Sequence, residues 1–234
     1  LALSDSQAEI TKYENPTGSL NEYYVGQQIG EIWGYRTGGL FQNDADAQAN
    51  DMSALGDNWA AGDVNFLDLD DDGVVDRGND TLSDTGDRRV IGNESMRYRF
   101  GLNLDLRYKN WTLNTFFQGI LKGDYFPPTN NWNAFWPWNA GNAEWYYITD
   151  SWTPENPNAY FYHVNDRYLQ DASYIRLKQL TLSYRVPQTI IDQIGVNSLS
   201  LYYSGQNLWE DTNMRPPLDP EVRPTLTQEY YKNR

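Results

Sequence analysis

The stretch Tyr98-Arg99-Phe100-Gly101-Leu102-Asn103-Leu104-Asp105-Leu106-Arg107-Tyr108 decides how this chain is read. Every even position is apolar, and every odd one is charged, polar or glycine. Successive side chains of a strand project to opposite faces, so the segment is predicted to be one extended strand with an oily face and a strongly polar face. The oily face begins and ends on tyrosine and carries Leu and Phe between. That is the pattern of a strand whose outer face crosses a bilayer with aromatic ends at the two interfaces. An edge hairpin of a soluble sandwich with one wet face alternates in the same way. On this hairpin alone both readings stand.

Working outward, a two-residue turn at Lys109-Asn110 leads into a second aromatic strand over 111–122. A further strand pair is predicted at 174–186 and 199–209. Between them, residues 187–195 read as one or two helical turns, with proline at the start and glycine at the end. Upstream, a strand is predicted over 22–36, rich in Tyr, Val, Ile and Trp and punctuated by Gly26, Gly30 and Gly34. Two long polar stretches remain: an acidic one at 37–94, and one at 123–171 loaded with Pro, Asn and Trp. Connections therefore alternate short, long, short, long. Outer-membrane barrels have short periplasmic turns and long extracellular loops, whereas long structureless loops inside a small soluble domain are uncommon. The balance moves toward a barrel.

Composition narrows the classes of function. A net charge of −14 and a pI near 4.4 argue against nucleic acid, which selects a basic surface. Mean hydropathy is −0.74, and no apolar run reaches the length of a transmembrane helix. Barrel strands are polar at every second position, so this leaves a barrel open. Cysteine is absent, which removes disulfide frameworks and thiol nucleophiles. Aromatics make up 15% of the chain and are led by Tyr and Trp, a bias that suits interfaces and sugar-binding surfaces. Both ends of the chain read as cuts, so the expected object is an internal piece of a longer protein.

Two motifs could carry chemistry. Asp68-Leu69-Asp70-Asp71-Asp72-Gly73-Val74-Val75-Asp76 has the D-x-D-x-D-G arrangement of a calcium loop. Its expected ligands are Asp68, Asp70, Asp72, the Val74 carbonyl, Asp76 and Asn79. Asn79 stands where an EF-hand needs a bidentate Glu, and no flanking helix pair is evident. The expectation is a possible Ca2+ site without the EF-hand fold, against the plainer reading of a solvated acidic turn. The second motif is the aromatic loop, in which Trp132, Trp136, Trp138 and Trp145 stand among Asn and Gly. Flat rings of this kind bind the apolar faces of sugars, and equally they pack a loop into a rigid lid. Catalytic constellations are thin. His163 is the sole histidine, and neither a G-x-S-x-G elbow nor a metal-binding His pair accompanies it. The chain is expected not to be an enzyme and to need no organic cofactor.

A series of phrases carries a more specific signal. Val25-Gly26-Gln27-Gln28-Ile29-Gly30 precedes Gly34-Tyr35-Arg36-Thr37-Gly38-Gly39-Leu40-Phe41-Gln42. Gly62-Asp63-Val64-Asn65-Phe66 leads into the acidic loop, and Arg88-Arg89-Val90-Ile91-Gly92-Asn93 comes just before the hairpin. Phe116-Phe117-Gln118-Gly119, Trp152-Thr153-Pro154-Glu155-Asn156-Pro157 and Asp166-Arg167-Tyr168-Leu169 follow. Ala172-Ser173-Tyr174-Ile175-Arg176-Leu177-Lys178 and Ser204-Gly205-Gln206-Asn207-Leu208 close the series. In this order the chain resembles the C-terminal barrel region of SusC/RagA-type TonB-dependent outer-membrane transporters of Bacteroidota, over nearly its whole length. One departure is Asp71, where the family often has glycine.

The resemblance implies an all-β fold: an antiparallel transmembrane β-barrel segment, part of a 22-stranded barrel with long extracellular loops. Residues 1–234 would be a fragment of that C-terminal barrel, without the plug, the TonB box or the final strand. Residues 37–94 would form a long acidic extracellular loop and 123–171 a long aromatic one. The implied function is nutrient uptake: import of oligosaccharides, or peptides, across the cell outer membrane of a Gram-negative cell. The implied partners are a SusD-like surface lipoprotein and TonB-ExbB-ExbD, the latter acting through the missing N-terminal region. The alternative left by the residues themselves is a soluble calcium-stabilised carbohydrate-binding β-domain. A glycoside hydrolase fragment rests only on abundant carboxylates and aromatics.

Overall fold

The computed structural model describes residues 1–126, 163–215 and 218–221. In chain order the elements are β1 Ala2–Ser4, β2 Glu31–Tyr35, β3 Thr37–Leu40, α1 Asp44–Ala49, β4 Val64–Phe66, β5 Arg88–Asn93, β6 Arg97–Tyr108, β7 Trp111–Lys122, β8 Asp124–Tyr125, β9 Gln170–Asp171, β10 Tyr174–Arg185, α2 Gln188–Ile191 and β11 Ser200–Thr212. They fall into two compact units. Residues 1–6, 96–123 and 171–214 make the first, and the other described residues make the second.

The first unit is a five-stranded antiparallel sheet in the order β1-β6-β7-β10-β11. The hairpin read from the alternation is present as β6 and β7, joined at Lys109-Asn110 with Lys109 at φ +52°. A positive φ in a two-residue loop lets the turn follow the right-handed twist of its strands. The predicted pair at 174–186 and 199–209 is present as β10 and β11. Their connector holds α2, a 3-10 turn Asp192–Ile194, and Gly195 at φ +68° as the left-handed stop. Proline entry and glycine exit thus act as the sequence suggests.

One feature of β10 corrects the simple strand reading. Ile175 and Leu177 are out of phase with Leu180, Leu182 and Tyr184, so an unbroken strand would split them between two faces. Leu177 pairs with Phe117 while Gln179 pairs with Phe116, which leaves Lys178 as an extra residue in a β-bulge. The bulge resets the phase and returns Leu177 and Leu180 to one face. On β11 the compensating irregularity falls at Asn207, which adopts φ +50°.

The second unit departs further from expectation. The stretch 37–94, read as a long polar loop, builds a core of its own from Phe41, Ala47, Met52, Leu55, Val64, Phe66 and Val75, joined by Tyr35 and Tyr168. Val64, Phe66 and Val75 have no exposed surface. Fully burying a side chain of this size contributes about 1.5–3 kcal/mol relative to exposure. Asn43 caps α1 by accepting from the Asp46 amide at 2.9 Å. The strand expected over 22–36 shrinks to β2, which pairs with β5. Gly26 and Gly30 adopt φ +92° and +90°, a region closed to regular strands.

Candidate functional surfaces: a two-faced sheet and an acidic loop

Residues directly opposite one another in a sheet share a face, so the register assigns the faces of the first unit. Phe100, Leu102, Leu104, Leu106 and Tyr108 of β6 stand opposite Gly119, Phe117, Thr115, Leu113 and Trp111 of β7. Those residues stand opposite Ile175, Leu177, Leu180, Leu182 and Tyr184 of β10. Next come Asp211, Trp209, Gly205, Tyr203 and Leu201 of β11. One face, apolar apart from Thr115, Gly119, Gly205 and Asp211, therefore runs across four long strands. Leu104, Leu106, Tyr108, Trp111, Leu182, Leu201, Tyr203 and Trp209 on it are all exposed. A continuous exposed apolar surface of this extent marks an interaction with hydrocarbon or another apolar partner.

The face has a marked boundary. Tyr108, Trp111 and Tyr184 form a row across three strands at the end bearing the short connections, and the Trp111 and Tyr184 rings lie 4.6 Å apart. The Lys109 ammonium stands 5.3 Å from the centre of the Tyr108 ring. Amphipathic rings beside a cation are the side chains that favour a membrane–water boundary.

The opposite face is polar and cross-linked. Asp105 accepts from Asn114 directly across the hairpin. The Gln118 amide donates to the Tyr174 hydroxyl at 3.3 Å. Arg176 forms an ion pair with Glu210, its register partner on β11, and Arg97 pairs with Asp5. Phe116, Ile120, Tyr174 and Tyr202 are the large apolar or aromatic exceptions on this side, placed there by the same register.

At Gly119 the two faces meet a packing limit. A Cβ there would lie 2.3 Å from the Tyr174 carbonyl oxygen and 2.5 Å from the Phe100 ring. Phe100 covers the backbone of its own cross-strand partner, and only glycine leaves room for it.

The acidic loop of the second unit is organised differently from the motif. Asp68 and Asp70 come together with Asp87, with one carboxylate oxygen from each within 4.8 Å of the others. Asp87 has no exposed surface and accepts from the Leu69 amide at 2.5 Å and the Asp76 amide at 2.8 Å. It is the hinge post of the loop, and spacing within the D-x-D-x-D-G run could not have found it. Asp68 accepts from the Asp71 and Gly73 amides at 2.7 and 2.9 Å, while Gly73 makes the turn at φ +90°.

Three of the other expected ligands make hydrogen bonds within the loop. Asp72 accepts from the Val74 amide, Asp76 from the Gly78 amide, and Asn79 donates to Asp84. The Asp70 carboxyl is held above its ordinary range by partial desolvation, then by repulsion from Asp87 and Asp72. Removing a proton there costs more than usual, as expected where several carboxylates face one small space. Trp132, Trp136, Trp138 and Trp145 lie outside the described residues.

His163 is half-buried beside the core of the second unit. Its Nε2 lies 2.9 Å from the Leu55 carbonyl oxygen, and its ring meets those of Tyr35 and Phe66 edge-on at 6.1 and 5.9 Å. Burial pushes its pKa below the ordinary histidine value, so the neutral ring donates to Leu55.

No family model matches the chain. Over 204 residues it is 30% identical to TonB-dependent receptor P3 of Formosa agariphila, covering 84% of this chain and 19% of that protein. Over 210 residues it is 27% identical to TonB-dependent receptor P26 of the same organism, covering 84% and 20%. The chain thus spans about a fifth of the length of the curated relatives it matches. Among solved structures it is similar to the RagAB peptide transporter, with a TM-score of 0.53 and 18% identity over 82% of this chain and 20% of that one. Against the RagAB peptide importer in its open-open state the TM-score is 0.55, with 19% identity over 91% and 22%. At these identities the solved structures establish the shared fold.

Proposed function

We infer that this chain is a segment of a TonB-dependent transporter of the SusC/RagA type, the family that its motifs resemble and whose members it matches. It is a transport protein of the outer membrane and not an enzyme. The observation that carries this reading is the single exposed apolar face shared, in register, by β6, β7, β10 and β11. Such a face suits the lipid side of an antiparallel barrel wall.

The finer reading is as follows. The four long strands form part of the wall of a 22-stranded barrel, with the polar face toward the lumen and plug. Among the described residues no strand pairs with the outer edge of β11. A long unprotected edge is a liability that barrel closure removes, which supports continuation of the sheet by strands outside this chain. The connections 37–94 and 123–171 then face the cell exterior. The whole transporter takes up oligosaccharides or peptides delivered by a SusD-like surface lipoprotein, energised through TonB-ExbB-ExbD. Trp132, Trp136, Trp138 and Trp145 are the proposed substrate contacts.

The acidic loop is proposed to hold Ca2+ through Asp68 and Asp70, with Asp87 as the buried third carboxylate. Hard oxygen ligands converging on one point support this choice of ion. Titration of the solubilised transporter with calcium tests it: binding that disappears in Asp70→Asn supports the site, and identical heats in both proteins remove it.

The transport reading is tested by blue-native electrophoresis of detergent-solubilised membranes, with mass spectrometry of the band. A large outer-membrane complex containing this sequence and a lipoprotein is expected. A soluble species of about this chain's own mass would overturn the reading in favour of a carbohydrate-binding domain. That second account leaves the exposed apolar face without a purpose.

A further inference from the structure

The connector between β10 and β11 carries apolar side chains that a water-facing turn does not need. Ile190 is 51% exposed, Ile194 58%, Val196 43% and Leu199 36%. Ile191, between them, is buried. Ile190 lies in the α-helical turn, and Ile194 ends the 3-10 turn that follows it. Asp192 is the sole ionisable group between Val186 and Leu199, and it accepts from Gln188 at 2.7 Å on the polar side. Scattered exposed apolar residues are ordinary on any surface. A cluster of this kind on a short connector with one charge is not.

The cluster is continuous with the apolar face of the sheet. The Val186 amide donates to the Leu199 carbonyl at 2.9 Å, one step beyond the Arg185–Ser200 pair. By the alternation of β10 and β11, Val186 and Leu199 lie on the same face as Tyr184 and Leu201. The Arg185 amide also donates to the Asn110 carbonyl at 2.9 Å, which ties the connector to the hairpin turn that carries Lys109. The connector therefore begins where the Tyr108–Trp111–Tyr184 row and the Lys109 ammonium mark the edge of the apolar face.

We propose that the 187–199 connector is a membrane-interface anchor. Its short helical turn lies in the headgroup region of the periplasmic leaflet, with Ile190 and Ile194 dipped into the phospholipid and Gln188, Asp192 and Gln193 turned to water. The physics is that of a small interfacial amphipathic helix, here fixed at both ends by barrel strands. The anchor sets the depth of the β10–β11 pair in the bilayer and stiffens a sheet whose β10 bulges at Lys178. This proposal rests on the reading of the apolar face as the lipid side of a barrel.

The test uses the whole transporter reconstituted in vesicles of phosphatidylethanolamine and phosphatidylglycerol. This chain contains no cysteine, so Ile194→Cys, Ile190→Cys, Gln193→Cys and Leu104→Cys each add one thiol to it for a nitroxide label. Collision with oxygen, which concentrates in lipid, is compared with collision with a water-soluble nickel chelate. Oxygen should dominate at Ile194 and Ile190 and the chelate at Gln193. Chelate dominance at Ile190 and Ile194 would place them in water, and access to neither reagent would place them under protein; either result overturns the anchor. Leu104 separates the two levels of the argument. If its label favours oxygen while Ile190 and Ile194 do not, the anchor alone is wrong. If the Leu104 label also avoids oxygen, the membrane wall falls with it. Two positions at the anchor keep the test decisive should one variant fail to assemble.

Discussion

The indole of Trp111 and the phenol ring of Tyr184 lie with centroids 4.6 Å apart and planes inclined at 43°, directly opposite each other on β7 and β10. The contact joins strands brought together from opposite sides of the long 123–171 connection, at the end of the sheet carrying the short turns. Aromatic pairs of this geometry contribute about 0.5–1.5 kcal/mol beyond their buried area. Trp111→Ala and Tyr184→Ala should each lower the thermal transition of the protein in detergent. A double-mutant cycle should return coupling in that range, and additive effects would show that the rings act independently.

Leu104 and Asn103 are neighbours on β6 that face opposite ways. Leu104→Arg, near the middle of the apolar face, should cost roughly 2–4 kcal/mol at a bilayer midplane and block insertion. Asn103→Arg should be tolerated. The amount of folded protein in outer-membrane fractions, read by heat-modifiable mobility, checks the pair; equal yields would mean that the apolar face does not meet lipid.

Gly119 leaves no space for a side chain. Gly119→Ala drives a methyl into the Tyr174 carbonyl and the Phe100 ring, and overpacking of this order costs typically about 1–3 kcal/mol. Trimming the ring with Phe100→Leu should restore only part of the loss, because the carbonyl contact stays. Urea unfolding of refolded protein gives the values.

His163 makes the second unit sensitive to acid. Its pKa in the folded state is depressed by burial, so the unfolded chain binds a proton more readily than the folded one. Stability is therefore complete above the ordinary histidine value near pH 6.5 and falls as pH drops below it. Protection factors of the amides around Leu55, corrected for the intrinsic pH dependence of exchange, should be lower at pH 5.5 than at pH 7.5. His163→Phe should abolish that difference, since a phenyl ring can still meet Tyr35 and Phe66 edge-on.

Asp87 supports two turns of the acidic loop at once. Asp87→Ala strands the Leu69 and Asp76 amides, at about 1–3 kcal/mol for each group left buried and unsatisfied. Limited proteolysis should cut within 68–86 in the variant and not in the parent. Resistance in both would show that the loop is held by other contacts.

Some of this fold was legible from the residues because its signals are local. The Tyr98–Tyr108 alternation, the Lys109-Asn110 turn, and the proline and glycine around α2 each act within a few positions. The β10 bulge left only a trace, the phase slip between Leu177 and Leu180. Nothing in the spacing of Phe41, Met52, Leu55, Val64 and Val75 announced a core, since they follow no period. They meet in one cluster, which Tyr35 and Tyr168, far apart in the chain, also join. Of the six expected metal ligands, Asp68 and Asp70 converge, and their partner Asp87 comes from outside the motif.

By itself, then, the sequence determined the all-β character, the two-faced strands and the resemblance to a transporter family. These follow from side-chain period and short motifs, which backbone geometry converts directly into faces and turns. The tertiary structure alone decided which strands share one apolar face, where Lys178 resets it, that the acidic stretch has its own core, and that Asp87 completes its carboxylate cluster. Those outcomes depend on contacts between residues tens of positions apart. Such contacts are set by register and close packing, and no local pattern records them.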